Sequence, residues 1–218
     1  MPYTGEVRRG GAADVRELPA LRITKVSVGP MDNNAYLLEC RETGERLLVD
    51  AADDAATLLD LVGDGRLQQV VTTHQHRDHW QALAEVVAAT GARTAAGRAD
   101  APALPVPVDD LLDDGDGVRV GHVRLEAIHL VGHTPGSVAL LYEDPAGHPH
   151  LFTGDSLFPG GVGNTQGDAA RFASLVADVE RKLFDRLPDD TWFYPGHGRD
   201  STIGAERPAL PEWRTRGW

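Results

Sequence analysis

Cysteine is almost missing from the chain: Cys40 stands alone, so no disulfide within one molecule can staple the fold. No stretch approaches the ~18 consecutive apolar residues a membrane span requires. The first twenty residues, MPYTGEVRRGGAADVRELPA, lack the apolar centre of a signal peptide. A cytosolic protein with no membrane partner is the expectation. Positive charge is also scarce, with 21 Lys and Arg against 33 Asp and Glu, a net of −12. The densest basic stretches, Arg8 with Arg9 and residues 212–218 (EWRTRGW), hold two arginines each, so nucleic acid is not an expected partner. No repeat, low-complexity segment or linker divides the sequence into separate cores.

What remains is an average globular composition, 218 residues with 41% hydrophobic and 25% charged, enough for one self-sufficient core. Strand-like runs occupy 21–28, 34–40 and 45–50, separated by turn residues such as Gly29 and Pro30. Ala56, Leu59 and Val62 recur at helical spacing behind a capping Asp53, with Gly63 as the stop. A strand over 68–73 runs into a histidine cluster before a helix over roughly 80–90. Further strands are expected near 93–97, 118–120, 123–129, 137–142 and 151–153. The acidic run 109–116 (DDLLDDGD) reads as a solvated turn. Phe172, Leu175, Val176, Val179, Leu183 and Leu187 form one apolar stripe, predicting a helix over 168–187 that Pro188 ends. A last strand over 191–194 leads into Pro195-Gly196-His197-Gly198. Strands with helices interspersed in both halves imply an α/β architecture, sheets with helices on their outer faces.

The strongest chemical signal is His74-Gln75-His76-Arg77-Asp78-His79, three histidines and an aspartate in six positions. Composition alone would produce such a cluster on the order of 10⁻³ times in a chain of this length, so chance does not account for it. His74 and His76, two apart in extended chain, can point to one side, while Asp78 and His79 can diverge toward a second point. Imidazole and carboxylate suit Zn²⁺, and also iron or manganese. Three more candidates stand against glycines at strand ends: His133 in Gly-His-Thr-Pro-Gly-Ser, Asp155 in Thr-Gly-Asp-Ser, and His197. His122, His129, His148 and His150 read as turn, strand or surface residues without a ligand role.

The ordered set H-x-H-x-D-H, then His133, Asp155 and His197, resembles the metallo-β-lactamase superfamily, specifically its glyoxalase II-like hydrolases. The resemblance covers residues 21–204, between a polar segment over 1–20 and a tail over 205–218 expected to pack on the domain. It implies an αβ/βα four-layer sandwich: two mixed sheets face to face, helices outside, and a dinuclear metal site along one edge. Carried over by position, His74, His76 and His133 would bind one Zn²⁺, Asp78, His79 and His197 the other, with Asp155 bridging. Asp50 resembles the family's aspartate that orients a ligand histidine, although Ala51 stands where a glycine commonly follows. The resemblance further implies a hydrolase acting on a small thioester or ester through a metal-bound hydroxide, with Asp78 orienting that nucleophile. Trp80, Phe158 and Asn164 are read as lining a substrate pocket.

Presence of Asp155 separates the chain from metallo-β-lactamases proper, and an intact His76 from flavodiiron proteins. Two features depart from glyoxalase II. The loop after Asp155 reads Phe-Pro-Gly-Gly-Val-Gly-Asn-Thr where that family has Cys-Gly-Arg, and 21 residues follow His197 where it carries a helical glutathione-binding domain. Three rival readings therefore stay open: a persulfide dioxygenase holding one iron through His74, His133 and Asp155, a lactonase of the same fold, and a metal-binding protein without turnover. The sequence leaves the oligomeric state open.

Overall fold

A computed structural model describes residues 3–217, so Met1, Pro2 and Trp218, the last residue of the expected tail, lie outside the described residues. The first sheet runs β1 (Asp14–Glu17), β2 (Leu21–Val28), β3 (Asn33–Cys40), β4 (Arg46–Val49), β5 (Leu67–Thr72), β6 (Arg93–Gly97) and β7 (Asp110–Leu112), in chain order. Its first four strands pair antiparallel and the rest parallel. The second sheet contains β8 (Gly117–Val120), β9 (Val123–His129), β10 (Val138–Tyr142) and β11 (His150–Gly154). A hairpin of β12 (Leu157–Phe158) and β13 (Gly161–Val162) follows, before β14 (Trp192–Pro195) and β15 (Ser201–Thr202) complete that sheet in the order β15-β14-β11-β10-β9-β8.

Period-two alternation makes the layers. Leu21, Ile23, Tyr36, Leu38, Leu47, Val49 and Val71 of the first sheet meet Leu125, Ala127, Val138, Leu140, Phe152 and Tyr194 of the second. Their sequence neighbours, such as Leu37, Leu48 and Val70, point outward against α1 (Ala55–Val62) and α2 (Leu83–Thr90). On the far side Ala139, Leu141, Leu151 and Phe193 take Leu175 and Val179 of α3 (Ala169–Val179). Both faces of the central strands are buried, which is why they read as nearly continuous apolar runs. The four-layer αβ/βα sandwich implied by the resemblance is the architecture found. No helix among the described residues is long and apolar enough to cross a membrane.

Several local expectations shift. Asp54 rather than Asp53 caps α1, accepting from Thr57 N at 3.3 Å. Residues 77–79 form a 3₁₀ turn, so α2 starts at Leu83 instead of 80. The long amphipathic helix widens into a π turn over Glu180–Phe184, with Asp185 N donating to the Glu180 carbonyl. Within the acidic run, Asp110–Leu112 is an edge strand on β6, and Leu112 is buried in the central layer. Residues 14–17 of the polar N-terminal segment likewise add a strand to β2. Beyond β15 the chain is helical, α4 (Ile203–Glu206) and α5 (Leu210–Arg216), and Trp213 is buried 6.0 Å from the Phe184 ring.

His150 is fully buried on β11, its Nδ1 2.9 Å from the Tyr194 hydroxyl. Burial first, then His148 and Arg16, push its pKa down to about 3. In the unfolded chain the ring titrates near ~6.5. The unfolded state therefore binds the proton first, and the ring's contribution to stability is complete above ~6.5 and lost as pH falls toward 3. Unfolding free energy measured across that window should decline with acidification, and His150→Phe should flatten the decline; an unaltered slope would exclude His150 as a source of acid lability.

Candidate metal centre

The parallel pairs β4–β5 and β11–β14 deliver the ends of four strands to one edge of the sandwich. Asp50 follows β4, His74 follows β5, Asp155 follows β11 and His197 follows β14, while the β9–β10 loop brings His133. All seven residues expected as ligands converge there. His74 Nε2 lies 3.1 Å from His76 Nδ1 and 3.3 Å from His133 Nε2. The 3₁₀ turn swings Asp78 and His79 the other way, where His197 Nε2 is 3.3 Å from Asp78 Oδ2. Asp155 stands between the groups, its oxygens 3.3 Å from His79 Nε2, 3.7 Å from His133 Nε2 and 3.6 Å from His197 Nε2. Three ligand-type groups result among the described residues, the trios His74/His76/His133 and Asp78/His79/His197 and, joining them, His74/His79/Asp155, each with donor atoms within 4.8 Å of one another.

Four of the five rings are anchored by their second nitrogen. His79 Nδ1 donates to Asp50 Oδ2 at 2.8 Å, His133 Nδ1 to the Asn164 carbonyl at 2.8 Å, and His197 Nδ1 to the Met31 carbonyl at 3.1 Å. His74 Nδ1 lies 3.1 Å from Thr73 Oγ1. Each anchor fixes the ring from behind and turns its Nε2 inward. Asp50 also accepts from Thr73 N and Oγ1 at 2.7 and 2.8 Å, tying the β4 end to the histidine loop. It does so from a left-handed backbone, φ 60°, with Ala51 in place of the expected glycine. Gly196 is needed nearby, since a Cβ there would lie 2.6 Å from His79 Cε1 and collide with Asp155.

The electrostatics call for a cation. Burial pushes the His74 pKa well down, helped by the neighbouring rings of His79, His133, His76 and His197. His133 and His76 are lowered chiefly by burial as well. Burial opposes charge on His79 too, but Asp155 and Asp50 outweigh it and raise that ring well above the usual range. Hydrogen bonding with His197, then with Asn33, holds the Asp78 carboxyl far below ordinary carboxylates. His79 Nε2 and Asp155 Oδ1 are buried without a hydrogen bond although they face each other. Orphaned buried polar atoms, inward-facing Nε2 atoms and a set of five imidazoles with two carboxylates fit divalent Zn²⁺, iron or manganese.

The residues expected around a substrate are placed differently from one another. The Phe158 ring centroid is 6.4 Å from that of His197. Trp80 packs on the outer layer with α1 and α2 and donates to the Gln75 carbonyl. Asn164 contributes its carbonyl to His133, while its side chain accepts from Gln166 N. His122, His129, His148 and His150 belong to none of the three ligand-type clusters among the described residues. Unforeseen was Asn33, 1% exposed, whose Nδ2 donates to Asp78 Oδ2 at 2.9 Å; two asparagines opening a mostly apolar strand were the available signal. Also unforeseen was Arg171 on α3, which donates to the carbonyls of Gly132 and His133, a long-range contact with no local signature.

Residues 28–197 match the Metallo-beta-lactamase superfamily. The chain is 40% identical over 167 residues to a hydroxyacylglutathione hydrolase of Polaromonas sp., an alignment covering 76% of this chain and 62% of that one. It is 30% identical over 219 residues to an uncharacterized protein of Aquifex aeolicus, covering 87% and 95% respectively. Among solved structures, TTHA1623 in a di-iron-bound form superposes with a TM-score of 0.69 at 33% identity, over 84% of this chain and 96% of that one. The chain spans about three-fifths of the length of the hydroxyacylglutathione hydrolases it matches. The match runs from the last residue of β2 to His197 and takes in every ligand candidate, and the chain belongs to the metallo-beta-lactamase superfamily.

Proposed function

We propose that this chain is a dinuclear metal-dependent hydrolase acting on a small thioester or ester. The observation that carries the reading is the pair of trios meeting at Asp155, whose two oxygens reach toward opposite members of the cluster. His74, His76 and His133 would hold one ion, Asp78, His79 and His197 the other, and Asp155 would bridge. Zn²⁺ is the ion proposed; iron fits the same donors, as the di-iron form of the related structure supports. When bound, such a pair supplies a water of lowered pKa and polarises an acyl carbonyl.

The chain's own groups do the rest. Asp78, kept ionised by His197 and Asn33, orients the attacking water and accepts its proton. Asp50 holds His79 in one tautomer, and the Asn164 and Met31 carbonyls do the same for His133 and His197. Phe158, beside His197, offers an apolar wall to an acyl group. A thioester is preferred over other esters because the hydrolases matched at 40% identity are named for hydroxyacylglutathione. The net charge of −12 supports a small molecule over nucleic acid as partner, and a cytosolic location is part of the proposal.

Elemental analysis of protein purified without added metal should find about two divalent ions per chain, followed by turnover on a thioester panel. About one iron per chain, with oxygen consumed on a persulfide, would replace this reading by a dioxygenase using His74, His133 and Asp155. His133→Ala should lose at least one ion and most activity; full activity at unchanged metal content would take His133 out of the site. Asp78→Asn should slow turnover by about 10²-fold or more while the melting temperature hardly moves. Gly196→Ala should depress metal uptake with the far-ultraviolet spectrum preserved, and wild-type uptake would show that the loop yields freely.

A further inference from the structure

Asp100 lies between β6 and a 3₁₀ turn over Ala101–Ala103, more than twenty positions from every ligand candidate, and it is fully buried. Its carboxylate joins two loops. Oδ2 accepts from Gln75 N at 2.9 Å, inside the His74–His76 segment, and from Thr134 Oγ1 at 2.5 Å, next to His133. Oδ1 accepts from Gly136 N at 2.7 Å. Ser137 Oγ, 2.5 Å from Thr134 Oγ1, extends the network by one hydroxyl. Arg93 and Arg98, the nearest basic residues in sequence, pair with Asp110 and Asp113 instead, and three hydrogen-bond donors hold the Asp100 carboxylate.

The backbone has been cut to fit this group. A Cβ on Gly136 would lie 2.9 Å from the Asp100 Cβ and Cγ and closer still to its nitrogen, and one on Gly97 would strike the Gly136 carbonyl. In Gly-His-Thr-Pro-Gly-Ser, the motif that first pointed to His133, Thr134, Gly136 and Ser137 thus serve the carboxylate rather than the cluster. An asparagine could not replace it, having one acceptor oxygen and presenting N–H groups to other N–H groups.

We infer that Asp100 is a positioning residue: it locks the loop of His74 and His76 to the loop of His133 and so sets the spacing of the first ligand trio. The inference rests on the dinuclear reading above. The second trio is held by separate devices. Asp50 anchors His79 and Asn33 steadies Asp78. Lys25, buried in an ion pair with Asp200 at 2.6 Å, grips the Gly198 carbonyl beside His197 at 2.8 Å. Loss of Asp100 should therefore be felt by one ion and not the other.

The test titrates metal-free wild type, Asp100→Asn and Thr134→Val with zinc against a chelator of known affinity, and repeats the titration with cobalt for its visible spectrum. In Asp100→Asn one ion should bind about 10-fold or more weakly with an altered cobalt spectrum, and the other within about 3-fold of wild type. Thr134→Val, which removes one bond of the three, should shift the same ion by about 3-fold. In a His76→Ala background, where the first trio is already broken, Asp100→Asn should leave the remaining ion unchanged. Equal weakening of both ions, or none in a folded variant, overturns the inference; if Asp100→Asn does not fold, the Thr134→Val titration decides by the same criterion. Two ions in wild type with an indifferent Asp100→Asn refute only the role of Asp100, whereas fewer than two ions in wild type refute the dinuclear reading along with it.

Discussion

Seven ligand-type side chains occupy a space in which the donors of each trio lie within 4.8 Å of one another, and the surrounding structure is organised to bear that crowding. Uncompensated, five imidazoles and two carboxylates with little water would repel, swing apart or trap protons in a mixture of tautomers. The chain prevents this by fixing each ring from behind. Asp50, Asn164, Met31 and Thr73 take the outward nitrogens, so that the Nε2 atoms of these four rings face inward. A divalent cation then has more to gain there than at any looser cluster of the same residues.

That convergence depends on strand direction. Because β4 and β5 run parallel, and β11 and β14 do too, two neighbouring strands of each sheet finish at the same edge and present their following residues side by side. Face-to-face stacking of the sheets then brings the two edges together, and the cross-sheet bond from Val138 N to the Thr73 carbonyl, 2.9 Å, joins them just behind His74. The apolar layers on either side make this register hard to slip, since a one-residue shift would turn Leu38, Leu140 and Phe152 away from the centre.

Outside this frame, polar groups buried for one purpose recur. Asn33, Asp50, Asp100 and Lys25 are all at most 2% exposed, and each bonds to a loop carrying a ligand candidate. Arg171 adds a grip on the His133 loop from α3. The outer helices thus contribute more than cover for the sheets.

Alternation of apolar residues and the stripe from Phe172 to Leu187 made the strands and α3 legible, because burial on a sheet or helix face leaves a period in the chain itself. The compact run from His74 to His79 was legible for the same reason: its donors are local. Boundaries were less so. Whether Asp53 or Asp54 caps α1 turns on a single hydrogen bond to Thr57, and whether 110–112 forms an edge strand turns on pairing with β6, some fifteen residues away. Asp100, Asn33 and Arg171 left no pattern, since a carboxylate, an amide or a guanidinium that bridges loops looks like any surface residue until its partners are brought to it. The sequence by itself determined the layers and the ligand-type residues. Which buried groups hold those residues at bonding distance only the tertiary structure decided, because contacts such as Asp100 to Gln75 and Lys25 to Gly198 and Asp200 link residues 25 to 175 positions apart.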